Sequence, residues 1–107
     1  MEEVKIYELP NYAFNKYKQL TGDRDCTLEL ARRKLSRMIH LGLPVKKDHT
    51  YHQTMYLFDE LRIRVNLTID GREIITGLWQ LGEPIYGWNL NMKKYKKVSK
   101  KLGLEVK

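Results

Sequence analysis

An α+β fold is predicted by three features of this sequence. Two stretches before residue 42 repeat apolar residues at helical spacing, a stretch from Leu61 alternates apolar and polar residues before meeting Asp70-Gly71, and the chain closes on a lysine-rich segment of helical period. The expected architecture is two N-terminal helices packed on a small antiparallel sheet with a tight Asp-Gly hairpin, followed by a basic C-terminal helix. A chain of 107 residues has enough apolar material for one core and too little for two, so residues 1–107 are expected to form a single compact domain.

Taken in order, "VKIY" at residues 4–7 reads as a short strand closed by Pro10. Ala13, Phe14, Tyr17 and Leu20 then mark a first amphipathic helix, with Asn11 as its expected cap and Gly22 as its stop. The second helix is better marked. Leu28, Ala31, Leu35, Met38 and Ile39 form one apolar stripe, Thr27 can accept from the first free amides, and Gly42 can end the run. Its other side carries Arg32, Arg33, Arg37 and His40. Pro44 prevents continuation, so a polar loop through His49 is expected, leading to a strand over "YHQTMYLF".

From Leu61 to Ile69 the alternation is that of a strand with one buried face. Asp70 and Gly71 suit a two-residue turn whose central positions both need positive φ. That loop pairs Leu67 with Ile74, Ile63 with Leu78, Arg64 with Gly77 and Arg62 with Trp79. The expected core face is then Ile63, Val65, Leu67, Ile74 and Leu78. The opposite face sets Arg62 and Arg64 beside Trp79, with Ile75 and with a gap over Gly77 where a ligand can approach the backbone. In the preceding strand either Met55 and Leu57 or Tyr56 and Phe58 face the core, according to whether a bulge interrupts the connection to Leu61.

Charge is unevenly spread. The chain carries 20 Lys+Arg against 13 Asp+Glu, a formal +7, and residues 91–107 hold seven of those lysines with Glu105 as the single acid. The body is nearly neutral and the tail is a localised cation. Asn91 is a plausible cap, Met92, Tyr95, Val98 and Leu102 fall near one face, and Gly103 can close a helix of about three turns. Lys93, Lys94, Lys96, Lys97, Lys100 and Lys101 fill the rest without an acid between Asn91 and Gly103. An ordinary solvated helix face mixes signs, whereas like charges at this spacing repel and an anionic partner relieves the cost. These lysines, with Arg33 and Arg37 and with Trp79 for stacking, are the candidate nucleic-acid-binding residues.

Other chemistry is largely excluded. No apolar run approaches the roughly 20 residues of a membrane span, and the start "MEEVK" lacks the basic and apolar regions of a signal peptide, so a cytoplasmic location is expected. Cys26 is the only cysteine, which rules out an intrachain disulfide and a cysteine-rich zinc site. His49 and His52 follow Asp48 at a spacing that suits a metal on a turn, but without a second ligand pair they read as loop or strand-edge histidines. No cofactor is expected: there is no glycine-rich phosphate loop, no Ser/His/Asp order and no paired carboxylates in apolar surroundings.

Two helices, a strand hairpin and a last strand running into "LWQLGEPIYGW" resemble small toxin ribonucleases of the RelE and BrnT kind, over roughly residues 11–88. Gly82 and Tyr86 match the glycine and tyrosine that close the last strand in that family. Glu83 and Pro84 stand where the family often has His, Lys or Arg. The resemblance implies RNA as partner and, for a ribonuclease, makes Arg62, Arg64 and His52 the candidate catalytic residues, with His52 as the base for a 2′-hydroxyl. The leading expectation is therefore a small intracellular nucleic-acid-binding module, RNA ahead of DNA. The alternatives are a RelE-like ribonuclease and a protein-binding inhibitor or regulator from a phage or mobile element, its lysines meeting an acidic protein surface.

Overall fold

The computed structural model describes residues 4–48, 52–80 and 90–104, with backbone only for 46–48. Among these, three helices and a four-stranded antiparallel sheet form the α+β arrangement expected from the sequence. In chain order they are α1 (Asn11–Thr21), α2 (Leu28–Leu41), β1 (Leu43–Asp48), β2 (Gln53–Phe58), β3 (Leu61–Leu67), β4 (Glu73–Gln80) and α3 (Met92–Lys101). The strands lie in the order β1-β2-β3-β4.

α1 and α2 share one face of the sheet. Ala13 and Tyr17 of α1, Ala31, Leu35 and Ile39 of α2, Ile63 and Val65 of β3, and Ile75 and Leu78 of β4 form one buried cluster. Pro10, not Asn11, stands at the N-cap of α1, and Asn11 is its first helical residue. Proline suits the place because an amide at the helix start has no intrahelical partner. Thr27 caps α2 as expected, its Oγ1 accepting from the Leu30 amide at 3.1 Å. The stripe departs from expectation at Leu28, which is 40% exposed at the helix entrance. Gly42 ends α2 by turning to extended backbone, and no side chain fits there: a Cβ would lie 2.7 Å from the Leu57 carbonyl oxygen and 2.8 Å from that of Met38.

Two expectations about the sheet need correction. Residues 43–48 are not a loop but the edge strand β1, paired with β2 from Leu43↔Leu57 to Asp48↔Gln53 with an irregularity between Pro44 and Lys46. An edge strand tolerates proline because one side of its backbone donates to nothing. The β3-β4 loop is one residue longer than a two-residue turn. Only Gly71 takes positive φ, at 87°, while Asp70 instead receives hydrogen bonds from the Thr68 hydroxyl and, at 3.0 Å, from Arg72 Nε. Thr68 N–H donates to the Arg72 carbonyl at 2.8 Å and Gly71 N–H to the Thr68 carbonyl at 3.0 Å. Near the turn the register is therefore Leu67↔Glu73, Asn66↔Ile74 and Val65↔Ile75. A bulge at Thr76 absorbs the difference, and Arg64↔Gly77, Ile63↔Leu78 and Arg62↔Trp79 stand as expected.

Because side-chain direction alternates with period two, that bulge exchanges the roles of two isoleucines. Ile75 is fully buried, Ile74 is only partly covered, Leu67 is 46% exposed and Ile69 projects wholly into solvent at the turn. On β2, Tyr56 lies opposite Ile63 and packs on the core, which settles that strand in favour of the Tyr56 and Phe58 face.

The segment from Val4 to Leu9 is an extended strap, with one parallel bridge from Glu8 to Ile74. Glu8 N–H donates to the Glu73 carbonyl at 3.1 Å and its carbonyl accepts from Ile75 N–H at 2.9 Å, so the strap covers part of the free edge of β4. α2 holds its other side. Ser36, fully buried, accepts from Tyr7 N–H at 2.9 Å and donates to the Arg32 carbonyl at 2.8 Å, while Arg32 Nε donates to the Tyr7 carbonyl at 2.7 Å. One turn on, His40 Nε2 accepts from Lys5 N–H at 2.9 Å.

α3 docks on α2 through a second cluster, in which Val98, Leu102 and Leu104 meet Val4, Ile6 and Leu41. Asn91 Oδ1 accepts from the Lys94 amide at 3.1 Å, and Gly103 at φ 69° lets Leu104 N–H reach back to the Ser99 carbonyl at 2.8 Å. Met92, expected on the docking face, is instead 51% exposed.

Leu35 and Ile63 are both fully buried, one on α2 and one on β3. Truncating either to alanine should lower unfolding free energy by about 2–5 kcal/mol in urea denaturation. A loss below about 0.5 kcal/mol for both would contradict the packing described.

Candidate nucleic-acid interface

At about 100° per residue, Lys96, Lys100, Lys93, Lys97, Lys101 and Lys94 follow one another around roughly 160° of α3. All six are exposed. The complementary arc carries Val98, Ser99 and Leu102, all buried, and Tyr95, partly so. The helix thus has one docked side and one wholly cationic side. Among the described residues, no ion pair reaches any of these lysines.

Five cations of the body are paired with acids among the described residues. Arg32 and Arg33 meet Glu29 at 3.5 and 3.0 Å, Lys34 meets Asp23 at 3.2 Å, Lys5 meets Glu73 at 3.0 Å, and Arg72 meets Asp70 and Glu8. Glu29, flanked by both guanidiniums, has its carboxyl pKa lowered, chiefly by the hydrogen bond from Arg33.

Arg33 and Arg37 form the polar seam between α2 and α3. Arg33 Nη1 donates to the Leu102 carbonyl at 2.8 Å, at the C-terminus of α3 where a cation also complements the helix dipole. Arg37 Nη1 donates to the buried Ser99 hydroxyl at 2.9 Å, and its guanidinium lies over the Tyr95 ring, 4.6 Å from the centroid. Both arginines therefore orient the lysine helix, and the charge each presents to solvent is secondary to that task.

Arg62, Arg64 and Trp79 lie on the other side of the sheet, facing away from the helices. The gap expected over Gly77 is filled: the Trp79 indole lies across it, so closely that a Cβ on Gly77 would fall 2.7 Å from the ring. Arg64 stacks on that indole in turn, 5.2 Å from its centroid. Its Nε donates to Thr76 Oγ1 at 3.0 Å and its Nη2 to the carbonyl of the bulged Thr76 at 3.2 Å. Thr76 itself donates to Asn66 Oδ1. Arg62 Nη1 is buried without a hydrogen-bond partner among the described residues.

The candidate catalytic residues are only partly brought together. Arg62 and Arg64 share the outer face, opposite Leu57 and Met55. His52, exposed at the turn before β2 with φ 52°, lies three residues from Met55 and five from Leu57, roughly 10 and 17 Å along the strand from the two arginines. The α3 lysines are separated from this face by the sheet and α2. Gly82, Glu83, Pro84 and Tyr86, on which the family resemblance turns, fall outside the described residues, as do His49, Tyr51 and Lys107. Cys26 is buried, and burial together with Asp23 pushes its thiol pKa up, away from nucleophilic chemistry. Among the described residues no group of three His, Cys, Asp or Glu is set to hold a metal ion, and no helix is long and apolar enough to cross a membrane.

The Arg64-Trp79-Gly77 stack makes a local prediction. Gly77→Ala should push the indole off the sheet, shift Trp79 emission to the red in a Trp88→Phe background and cost about 1–3 kcal/mol. Unchanged emission and stability would place the indole elsewhere.

No family model, curated protein or solved structure matches this chain.

Proposed function

We propose that this protein binds nucleic acid, RNA ahead of DNA, in the cytoplasm, and that the lysine side of α3 is its contact surface. One observation carries the reading: five cations of the body, Lys5, Arg32, Arg33, Lys34 and Arg72, are paired with its own acids, whereas six lysines on a docked, capped helix have no such partner among the described residues. Lys93 and Lys97, Lys97 and Lys101, and Lys96 and Lys100 stand four residues apart, a spacing at which like charges destabilise a helix by a few tenths of a kcal/mol each. Lys93 and Lys94 also occupy the first turn, where the helix dipole disfavours cations. A phosphate backbone removes both costs at once.

RNA is placed ahead of DNA by the resemblance to RelE-type ribonucleases and by the lack of a helix-turn-helix pattern. Cleavage is the weaker reading, since the register holds His52 well away from Arg62 and Arg64. Lysine contacts position a backbone without reading bases, so binding through α3 should be largely indifferent to sequence.

The test is electrostatic. With five or six lysine contacts, log K should fall against log salt with a slope of about −3.5 to −4.2 on a single strand and about −4.5 to −5.4 on duplex DNA. Replacing Lys93, Lys96, Lys97 and Lys100 by Gln keeps helix propensity and should flatten the slope by about 3 units. Affinity unchanged in that variant, or none in the wild type at low salt, would overturn the reading in favour of an acidic protein partner.

A further inference from the structure

We propose that the open groove between α2 and α3 seats unpaired bases of a single-stranded nucleic acid whose phosphates the α3 lysines hold; the inference rests on the nucleic-acid reading above and names its substrate class. Around α2, Ala31, Leu35 and Ile39 face the sheet, Arg32, Ser36 and His40 face the strap, and Arg33 and Arg37 face α3. Leu30, Lys34 and Met38 are left on a fourth stripe, four residues apart; Met38 packs against the edge of the core and is only partly covered, while Leu30 and Lys34 stand clear of it. They line one side of a groove of about 830 Å³, a size within the range of small-ligand clefts, whose other side is Met92 and Tyr95 of α3.

The composition of this groove indicates its occupant. Met38, Phe58, Met92 and Tyr95 provide polarizable and aromatic surface, and the Arg37 guanidinium lies over the Tyr95 ring. Leu30 and Met92 remain 38% and 51% exposed, more apolar surface than their helices need to leave open. Around α3, Met92 is followed by Lys96 and then Lys100, so the lip of the groove leads directly into the lysine arc. Arg37 lines the groove from the α2 side, as does Lys34, whose ammonium also holds Asp23. An apolar groove bordered by cations complements a chain that offers phosphates and free base faces together, as a single strand does. A duplex stacks its bases inward and offers phosphates and groove edges but no free base faces.

Charge alone predicts the opposite preference, because duplex carries the denser phosphate array. The experiment compares an RNA single strand of about 12 nucleotides, within the site sizes such proteins cover, with a duplex of equal length at equal salt. Affinity is read by fluorescence anisotropy and contact by the ¹³C-methyl signals of methionine. The single strand should bind at least about 5-fold more tightly, the gain from stacking one base. Met38 and Met92 methyls should move upfield under the ring currents of the bases, while Met55, on the far face of the sheet, stays in place. Met92→Ala should remove the preference and leave the salt slope unchanged. Single-strand binding with Met38 and Met92 unmoved, or equal or tighter duplex binding, would overturn the groove while leaving the lysine reading intact. Binding of neither nucleic acid at low salt would overturn both, and methyl shifts produced only by an acidic peptide would assign the groove to a protein partner.

Discussion

The structure depends on one constraint: α2, 14 residues long, must satisfy several different neighbours around its circumference. Its apolar stripe covers the sheet, as in any helix-on-sheet layer. The next stripe is polar and yet faces protein, because the strap is irregular backbone whose amide and carbonyl need partners once covered. Arg32, Ser36 and His40 supply them at intervals of four residues, one helical turn apart. The third stripe reaches α3 through Arg33 and Arg37, which bind a helix end and a buried hydroxyl. Docking of the lysine helix therefore relies on guanidinium geometry as much as on Val98 and Leu102, and lysine at either position would lack the planar fork that makes these contacts.

That arrangement explains how so cationic a helix stays attached. Six exposed lysines repel one another and are disfavoured at the start of α3, while the opposite arc offers only a small apolar cluster. The end of α3 is closed by Gly103, and its carbonyls are met by Arg33 and by the chain itself. With the ends satisfied and one side docked, the charged side is held toward solvent at fixed spacing, and the proposed binding of a polyanion rests on that arrangement. The sheet's outer cations are held differently. Arg64 is tied to the Thr76 bulge and to the Trp79 indole, so that face is a self-contained stack and not a second half of the lysine surface.

Much of this was legible in residue order. α2 and α3 carried both a period and a cap, and Thr27 and Asn91 cap where the sequence places them. The far half of the β3-β4 register followed from alternation. The near half did not, because Asp70 accepts hydrogen bonds in place of adopting positive φ, and a one-residue difference in a loop passes silently through a pattern until a bulge removes it. β1 was hidden by Pro44 and two lysines, features that mark an edge strand and a loop equally well. The opening over Gly77 was inferred from the missing side chain alone, and the residue that fills it is two positions along the same strand. The groove was invisible for a different reason. Met38 looks like an ordinary member of the apolar stripe and Leu30 stands outside it, and only the placement of α3 makes the two line one groove, with Leu30 exposed and Met38 partly covered.

The central claim is that α2 is the element on which strap, sheet and lysine helix all depend. Native-state hydrogen exchange measures this directly. Amides of Leu35, Ser36 and Ile39 should exchange only through global unfolding, with the same free energy as the core strands, while those of α3 open at lower free energy as a separate unit. If α2 amides exchange as fast as or faster than those of α3, the helix is not the organising element and the account fails.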